Sequence, residues 1–329
     1  MMLKPSKPYK NLLPNPIDNE NAIKFIRDTF TDLLFEKLWR LTRTSAPIFI
    51  ESGQCVNDDL ANTATPVSFE MAAGLKVEMI HSLAKWKRLK LKELGMQHHN
   101  GVYTNMNAIR KDETLDNLHS VYVDQWDWEM VISAEERSVG YLESRVREIY
   151  RCIRETEQQL SAKFPQFTPT LPAEVKIFDS RQLENDYPEM SQKEIENLIT
   201  KEHGAVFIVG MDRRYGRASD YDDWQLNGDL LIWSHVIDCP IEITSMGVRV
   251  DSRSLAAQLK ESGEEHKSAF AYHKMILDNE LPLSIGGGIG QSRLCMLLLQ
   301  KGHIGEVQCS VWNKETLDYA AEYGMAILH

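Results

Sequence analysis

The segment SIGGGIGQSRLCMLL, starting at Ser284, places four glycines between Gly286 and Gly290 and then restores a cation, Arg293, at the head of an apolar helical run. Glycine costs backbone entropy, so such a cluster belongs where the chain bends unusually or where something large must approach its amides. HSVYVDQWDWE, His119 to Glu129, alternates bulky β-formers and reads as a strand. Period two puts Val121, Val123, Gln125, Asp127 and Glu129 on one face and Tyr122, Asp124, Trp126 and Trp128 on the other. The first face turns from apolar to polar. That suits either a sheet end emerging into water or a pocket floor where Gln125 and Asp127 receive a donor-rich group such as an ammonium.

In HSLAKWKRLKLKELG a helical projection gathers Leu83, Ala84, Trp86, Leu91 and Leu94 on one arc and leaves Lys85, Arg88 and Lys92 outside it. Lys87 falls inside the arc, with Lys90 one turn on. Burying a lone ammonium is costly, so Lys87 must pair, serve a ligand or snorkel. The ligand role is the one favoured here. Ser82 is placed to cap that helix, and a helix start also holds anions. Arg110, in MNAIRKDE, precedes the Gln125 strand across a hairpin connection. YDDW (Tyr221 to Trp224), NGD (Asn227 to Asp229) and EITSMGVR (Glu242 to Arg249) read as turns that gather carboxylates with one arginine, and a magnesium-nucleotide site needs hard oxygen ligands of this kind. Glu242 and Arg249 have opposite strand parity, so both face one pocket only if a bulge, expected near Gly247, shifts the register.

Residues 1–18 are proline- and lysine-rich and predict an irregular arm, with a single domain over 19–329. Apolar residues at three- and four-residue steps predict a helix from about Asn19 to Leu41. SAEE predicts a second helix opening at Ser133 and running to about Lys163. Short strands (PIFIE, EVKIFDS, AVFIVGM, LLIWSHVI, IEITSMGVRVD) alternate irregularly with helices near 193–200, 255–261 and 270–277. The fold class is α+β, with a largely antiparallel sheet flanked by helices.

The chain has 329 residues, 43% of them hydrophobic, and a net charge of −11, which argues against a sheath for nucleic acid while leaving room for one nucleotide held by a few cations. Cys55, Cys152, Cys239, Cys295 and Cys309 are scattered and odd in number, favouring a reducing cytoplasm over a disulfide framework. No apolar run approaches membrane-spanning length. There is no P-loop motif, the glycines before Arg293 lack a dinucleotide-fold context, and no glutamine-hydrolysing module is visible.

Set in order, HSLAKWKR, HSVYVDQWDWE, DYDDW, LNGD, SMGVRVD and IGGGIGQSRLCMLLLQ resemble the ammonia-dependent asparagine synthetases, a family of aspartate-ammonia ligases, from about Ala22 to Trp312. The resemblance implies a fold like the catalytic domain of class II aminoacyl-tRNA synthetases and a homodimer, with Pro47 in the dimerisation motif. It implies that Arg110 and Arg293 contact ATP beside Gly288, and that Asp229 and Glu242 hold Mg2+. By the same likeness Asp58, Gln125 and Asp127 receive the α-ammonium of aspartate and Ser82, Lys87 and Arg249 its carboxylates, while Asp222 and Ser245 line the same pocket. The implied reaction joins aspartate and ammonia with ATP through a β-aspartyl-adenylate, and either Asp58 or Asp222 assists deprotonation of ammonium. An aminoacylating synthetase and a non-catalytic adenylate-binding paralogue are the alternatives. Against the family pattern, the stretch MDRRYGRAS before DYDDW and the link from Trp224 to LNGD are short.

Overall fold

The computed structural model describes residues 2–6, 8–58, 64–212 and 219–329. Its main sheet has eight strands in the order β1 (Thr42–Arg43), β5 (Gly101–Ile109), β6 (Tyr122–Val131), β11 (Ser284–Gly290), β10 (Cys239–Arg249), β9 (Asp222–Ser234), β8 (Ala205–Val209) and β7 (Lys176–Asp179). Only the two end pairs, β1 with β5 and β7 with β8, are parallel, so the expected largely antiparallel sheet is what the chain builds. A small second sheet joins β2 (Phe49–Glu51), β4 (Lys76–Met79) and β3 (Ser68–Glu70).

One face of the main sheet is covered by α1 (Pro16–Thr31), α3 (Val139–Lys163) and α8 (Gln291–Leu298). Trp126 and Trp128 of β6 join Phe30, Phe35, Ile149, Ile243 and Leu294 in that core. The helix α2 (Ala84–Glu93) lies on the opposite face, with α6 (Ser252–Ser262) and α7 (Ala271–Leu277) beyond it. On the far side of the sheet, α4 (Ser180–Asp186) and α5 (Gln192–His203) pack on β8 and β9. The short α9 (Lys314–Tyr323) closes the chain.

Two helix starts differ from the expectation. α1 begins at Pro16 rather than near Asn19, because Asn15 Oδ1 accepts from the Ile17 amide and a proline in the first turn loses no hydrogen bond. α3 begins at Val139 with Ser138 as its cap. The amide of Ser133 does donate to Glu136 at 2.8 Å, half of the anticipated capping box, but the backbone continues as a turn. The amino-terminal segment is docked rather than loose: Tyr9 donates to Glu306 at 2.7 Å, Ser6 to the His235 carbonyl at 2.8 Å, and Leu13 enters the core at 4% exposure.

Candidate active site

The polar end of β6 forms the floor of a cavity of about 370 Å³. Register with β11 places Asp127 opposite Gly288 and Glu129 opposite Gly286. A Cβ on Gly286 would strike the Glu129 carboxylate and stand 2.6 Å from Arg249 Nη2, and one on Gly288 would strike the Gln125 amide. The glycine run therefore first makes room for the protein's own polar side chains to lie flat over β11.

Glu129, wholly buried, receives Arg249 through Nε at 3.0 Å and Nη2 at 2.7 Å, and the Ser284 hydroxyl at 2.7 Å. Arg249 also pairs with Asp222 through Nη1. Burial would push the Glu129 carboxyl up, but the adjoining Arg249 charge holds it below the ordinary carboxylate range. At Asp222 burial wins against Arg249 and the carboxyl is raised, while the two carboxylates outweigh burial at Arg249 and keep its guanidinium firmly charged. Arg249 reaches this face together with Glu242 because β10 changes parity: Ile241 and Ile243 point to the core, then Met246 and Val248 do. The register of β10 on β9 shifts twice, between Gly247 and Arg249, where the glycine led one to expect it, and also between Glu242 and Thr244, where the parity changes. YDDW, NGD and EITSMGVR are correspondingly not turns, since Asp222, Asp229, Glu242 and Ser245 all lie within β9 and β10.

From α2, Lys87 is 1% exposed, pairs with Asp127 Oδ1 and donates to the Gly287 carbonyl at 3.0 Å. Burial draws its ammonium below the usual lysine range, opposed by Asp127. Among the described residues Asp127 Oδ2 has no partner, and it is buried at the cavity wall. The rest of that helix corrects the projection. Lys85 and Arg88 are not solvated but 2% and 1% exposed, and Leu94, placed in the apolar arc, is 45% exposed. Lys85 donates to Asp220 at 2.9 Å, and Arg88 donates to the carbonyls of Val250 at 2.7 Å and Pro282 at 3.0 Å. Leu83 occupies the cap position; Ser82, one residue earlier, accepts from the Ala84 amide at 3.2 Å and lines the cavity.

Asp58 lines the opposite wall, its backbone pinned by Asn57, whose Oδ1 accepts from the amides of Asp58 and His81 at 3.1 and 2.8 Å. Tyr221 donates to Asp58 Oδ2 at 2.9 Å while its ring lies beneath Arg249, 5.4 Å from the guanidinium carbon. Toward the other end stand Arg110, whose Nη2 reaches the His81 carbonyl at 3.4 Å and whose buried Nε has no partner among the described residues, and Arg293, which donates to the Glu242 carbonyl at 3.1 Å.

All the residues singled out from the sequence line this cavity except Asp229. Asp229 sits on the same face, opposite Ser245 in β10, but is 2% exposed. With Glu242 on the neighbouring strand it offers hard carboxylate oxygens of the kind magnesium takes, so the donor set fits that ion. Glu129 was placed on the right face by period two but given no role, and Tyr221 carried no signal. The short segment before DYDDW, MDRRYGRAS, runs over 211–219, of which 213–218 lie outside the described residues.

A family model described as aspartate-ammonia ligase matches residues 17–324. The aspartate-ammonia ligase of Lactobacillus johnsonii is 49% identical over 321 residues, covering 94% of this chain and 95% of that one. That of Clostridium perfringens is 46% identical over 331 residues, covering 98% of both. Among solved structures, asparaginyl-tRNA synthetase from Pyrococcus horikoshii complexed with asparaginyl-adenylate matches with a TM-score of 0.68 over 88% of this chain and 68% of that one. At 14% identity that likeness is one of fold.

Proposed function

The chain belongs to the aspartate-ammonia ligase family, and from that premise we propose how its cavity is divided between the substrates. It is a ligase that makes L-asparagine from L-aspartate, ammonia and ATP through a β-aspartyl-adenylate, releasing AMP and pyrophosphate. The observation that carries the division is the convergence of Lys87, Arg110, Asp127, Glu242, Arg249 and Arg293 on one cavity from five separate segments. The Asp127 end takes aspartate. Its α-ammonium meets Asp127 Oδ2 and Gln125, and its carboxylates meet Ser82, Lys87 and the Arg249 group flanked by Asp222 and Ser245. The Arg293 end takes ATP, with adenine beside Arg293 and the α-phosphate at Arg110.

A side-chain carboxylate oxygen of aspartate attacks the α-phosphorus, and the bond to pyrophosphate breaks. Ammonia then attacks the acyl carbon, the acyl–oxygen bond to AMP breaks, and the nitrogen loses a proton. Arg110 and Arg293 stabilise charge on the reacting phosphate from fixed positions, which accelerates the step only because they are held ready. Asp229 and Glu242 would hold magnesium, which when bound neutralises phosphate charge as a Lewis acid. Asp222 is committed to Arg249, so we assign the ammonium proton to Asp58. We further assign a homodimer, supported by the exposed Ile48 and Phe49 near Pro47, and a cytoplasmic setting, supported by five cysteines with no disulfide among them. Residues 19–329 act as one catalytic domain carrying the docked amino-terminal segment.

The test is product analysis with aspartate, ATP and magnesium. Asparagine and AMP should form together when ammonium is added, whereas ADP as the nucleotide product, charging of tRNA with aspartate, or AMP release indifferent to ammonium would refute the reading.

A further inference from the structure

Two convergences of metal-ligating side chains stand outside the substrate cavity among the described residues. One, Cys55 with Asp220 and His273, is already supplied with cations: Lys85 lies 2.9 Å and Lys267 3.8 Å from Asp220, which disfavours a metal ion there. The other has no such competitor. His98 and His99, in the turn between α2 and β5, aim both Nε2 atoms at the Glu136 carboxylate, at 2.8 and 2.6 Å, across from the turn between β6 and α3.

We propose that His98, His99 and Glu136 form a binding site for a zinc-class divalent cation. Neighbouring side chains on an extended chain point apart, but His99 has a φ of 62°, and this left-handed backbone lets both rings lie on one side, their centroids 3.8 Å apart. The amide of Ser133 holds Glu136 from behind at 2.8 Å, so the carboxylate is oriented before any ion arrives. Zinc bonds imidazole nitrogen at about 2.0–2.1 Å, so ligand atoms around a tetrahedral ion stand roughly 3.3 Å apart. Each histidine needs to draw back from the carboxylate by only about 0.5–0.7 Å to admit one. Both histidines are about half exposed, which leaves the remaining positions to water and the entry path open. Two imidazoles and one carboxylate suit zinc over magnesium, which takes oxygen ligands. The site lies beyond the Val131 end of β6, away from Gln125, and its expected effect is to tie the two turns together.

The experiment is calorimetric titration of the whole chain with zinc chloride, with magnesium chloride as the contrast, alongside NMR of the histidine rings. One zinc should bind per chain, with selective perturbation of the His98 and His99 rings. His98→Ala and Glu136→Gln should each weaken it by about tenfold or more, and Cys55→Ser should leave it intact. Asparagine synthesis by the metal-free variants should match the parent. Equal affinity for magnesium, zinc binding unchanged in both variants, or loss of binding in Cys55→Ser would overturn the site. Perturbation of the two rings decides the matter should a variant fail to fold.

Discussion

At the end of the cavity proposed for aspartate, Lys87, Asp127, Glu129, Asp222 and Arg249 are each under a tenth exposed, Lys87 paired with Asp127 and Arg249 with both Glu129 and Asp222. At the end proposed for the nucleotide, Arg293 and Glu242 are 23% and 30% exposed and stand 3.8 Å apart. The contrast is between a subsite assembled in advance and one whose cations remain available. Removing one partner of a buried ion pair strands the other charge, so the first subsite is intolerant of single deletions. Exposed pairs contribute little, so the second can re-form around a triphosphate.

The contrast is broken most directly through stability. Glu129→Ala leaves Arg249 buried without its principal partner and should cost about 3–5 kcal/mol in chemical denaturation. Arg293→Ala should change stability by no more than about 0.5 kcal/mol. Equal losses in the two variants would dissolve the distinction. Second in size, Arg110→Ala should lower aspartate-dependent ATP–pyrophosphate exchange by about 10²–10³ while circular dichroism and melting stay near the parent's, as removal of one positioned charge donor does. Retained exchange would remove Arg110 from the phosphate.

The smallest effect concerns acid stability. Burial pushes the Asp220 carboxyl up, but Lys85 and His273 hold it well below the ordinary range. A depressed folded pKa means the stabilisation is fully present above the unfolded value, about 4, and is lost as pH falls below it. Asp220→Asn should therefore lower stability at neutral pH and flatten the decline below about pH 4. An unchanged acid limb would show that the cluster behind the aspartate end does not support it.

What the sequence made legible follows the same division. The floor strand could be read because one face of an antiparallel sheet is core and the other is not, so Trp126 and Trp128 sort themselves from Gln125, Asp127 and Glu129. The helix α2 was read less well. Lys85 is paired with Asp220, 135 residues away, and Arg88 with carbonyls 162 and 194 residues away, and no periodicity reveals such partners. Opposite parity correctly required a bulge in β10. A register shift is present at Gly247–Arg249 as the glycine suggested, but the one at Glu242–Thr244, where the parity changes, carries no glycine to mark it. The SAEE signal was physically real, since Ser133 and Glu136 do bond, but the same carboxylate also receives His98 and His99, a tertiary use that local pattern cannot see.

On the proposed division, one cavity has an interlocked end for aspartate and an independent end for the nucleotide. The most direct test is the pair of Michaelis constants, for aspartate and for ATP, in Glu129→Gln, where the amide keeps the shape but weakens its hold on Arg249. A rise of about tenfold or more for aspartate, with ATP within about twofold, is predicted. An equal rise for both substrates, or a rise for ATP alone, would contradict the division.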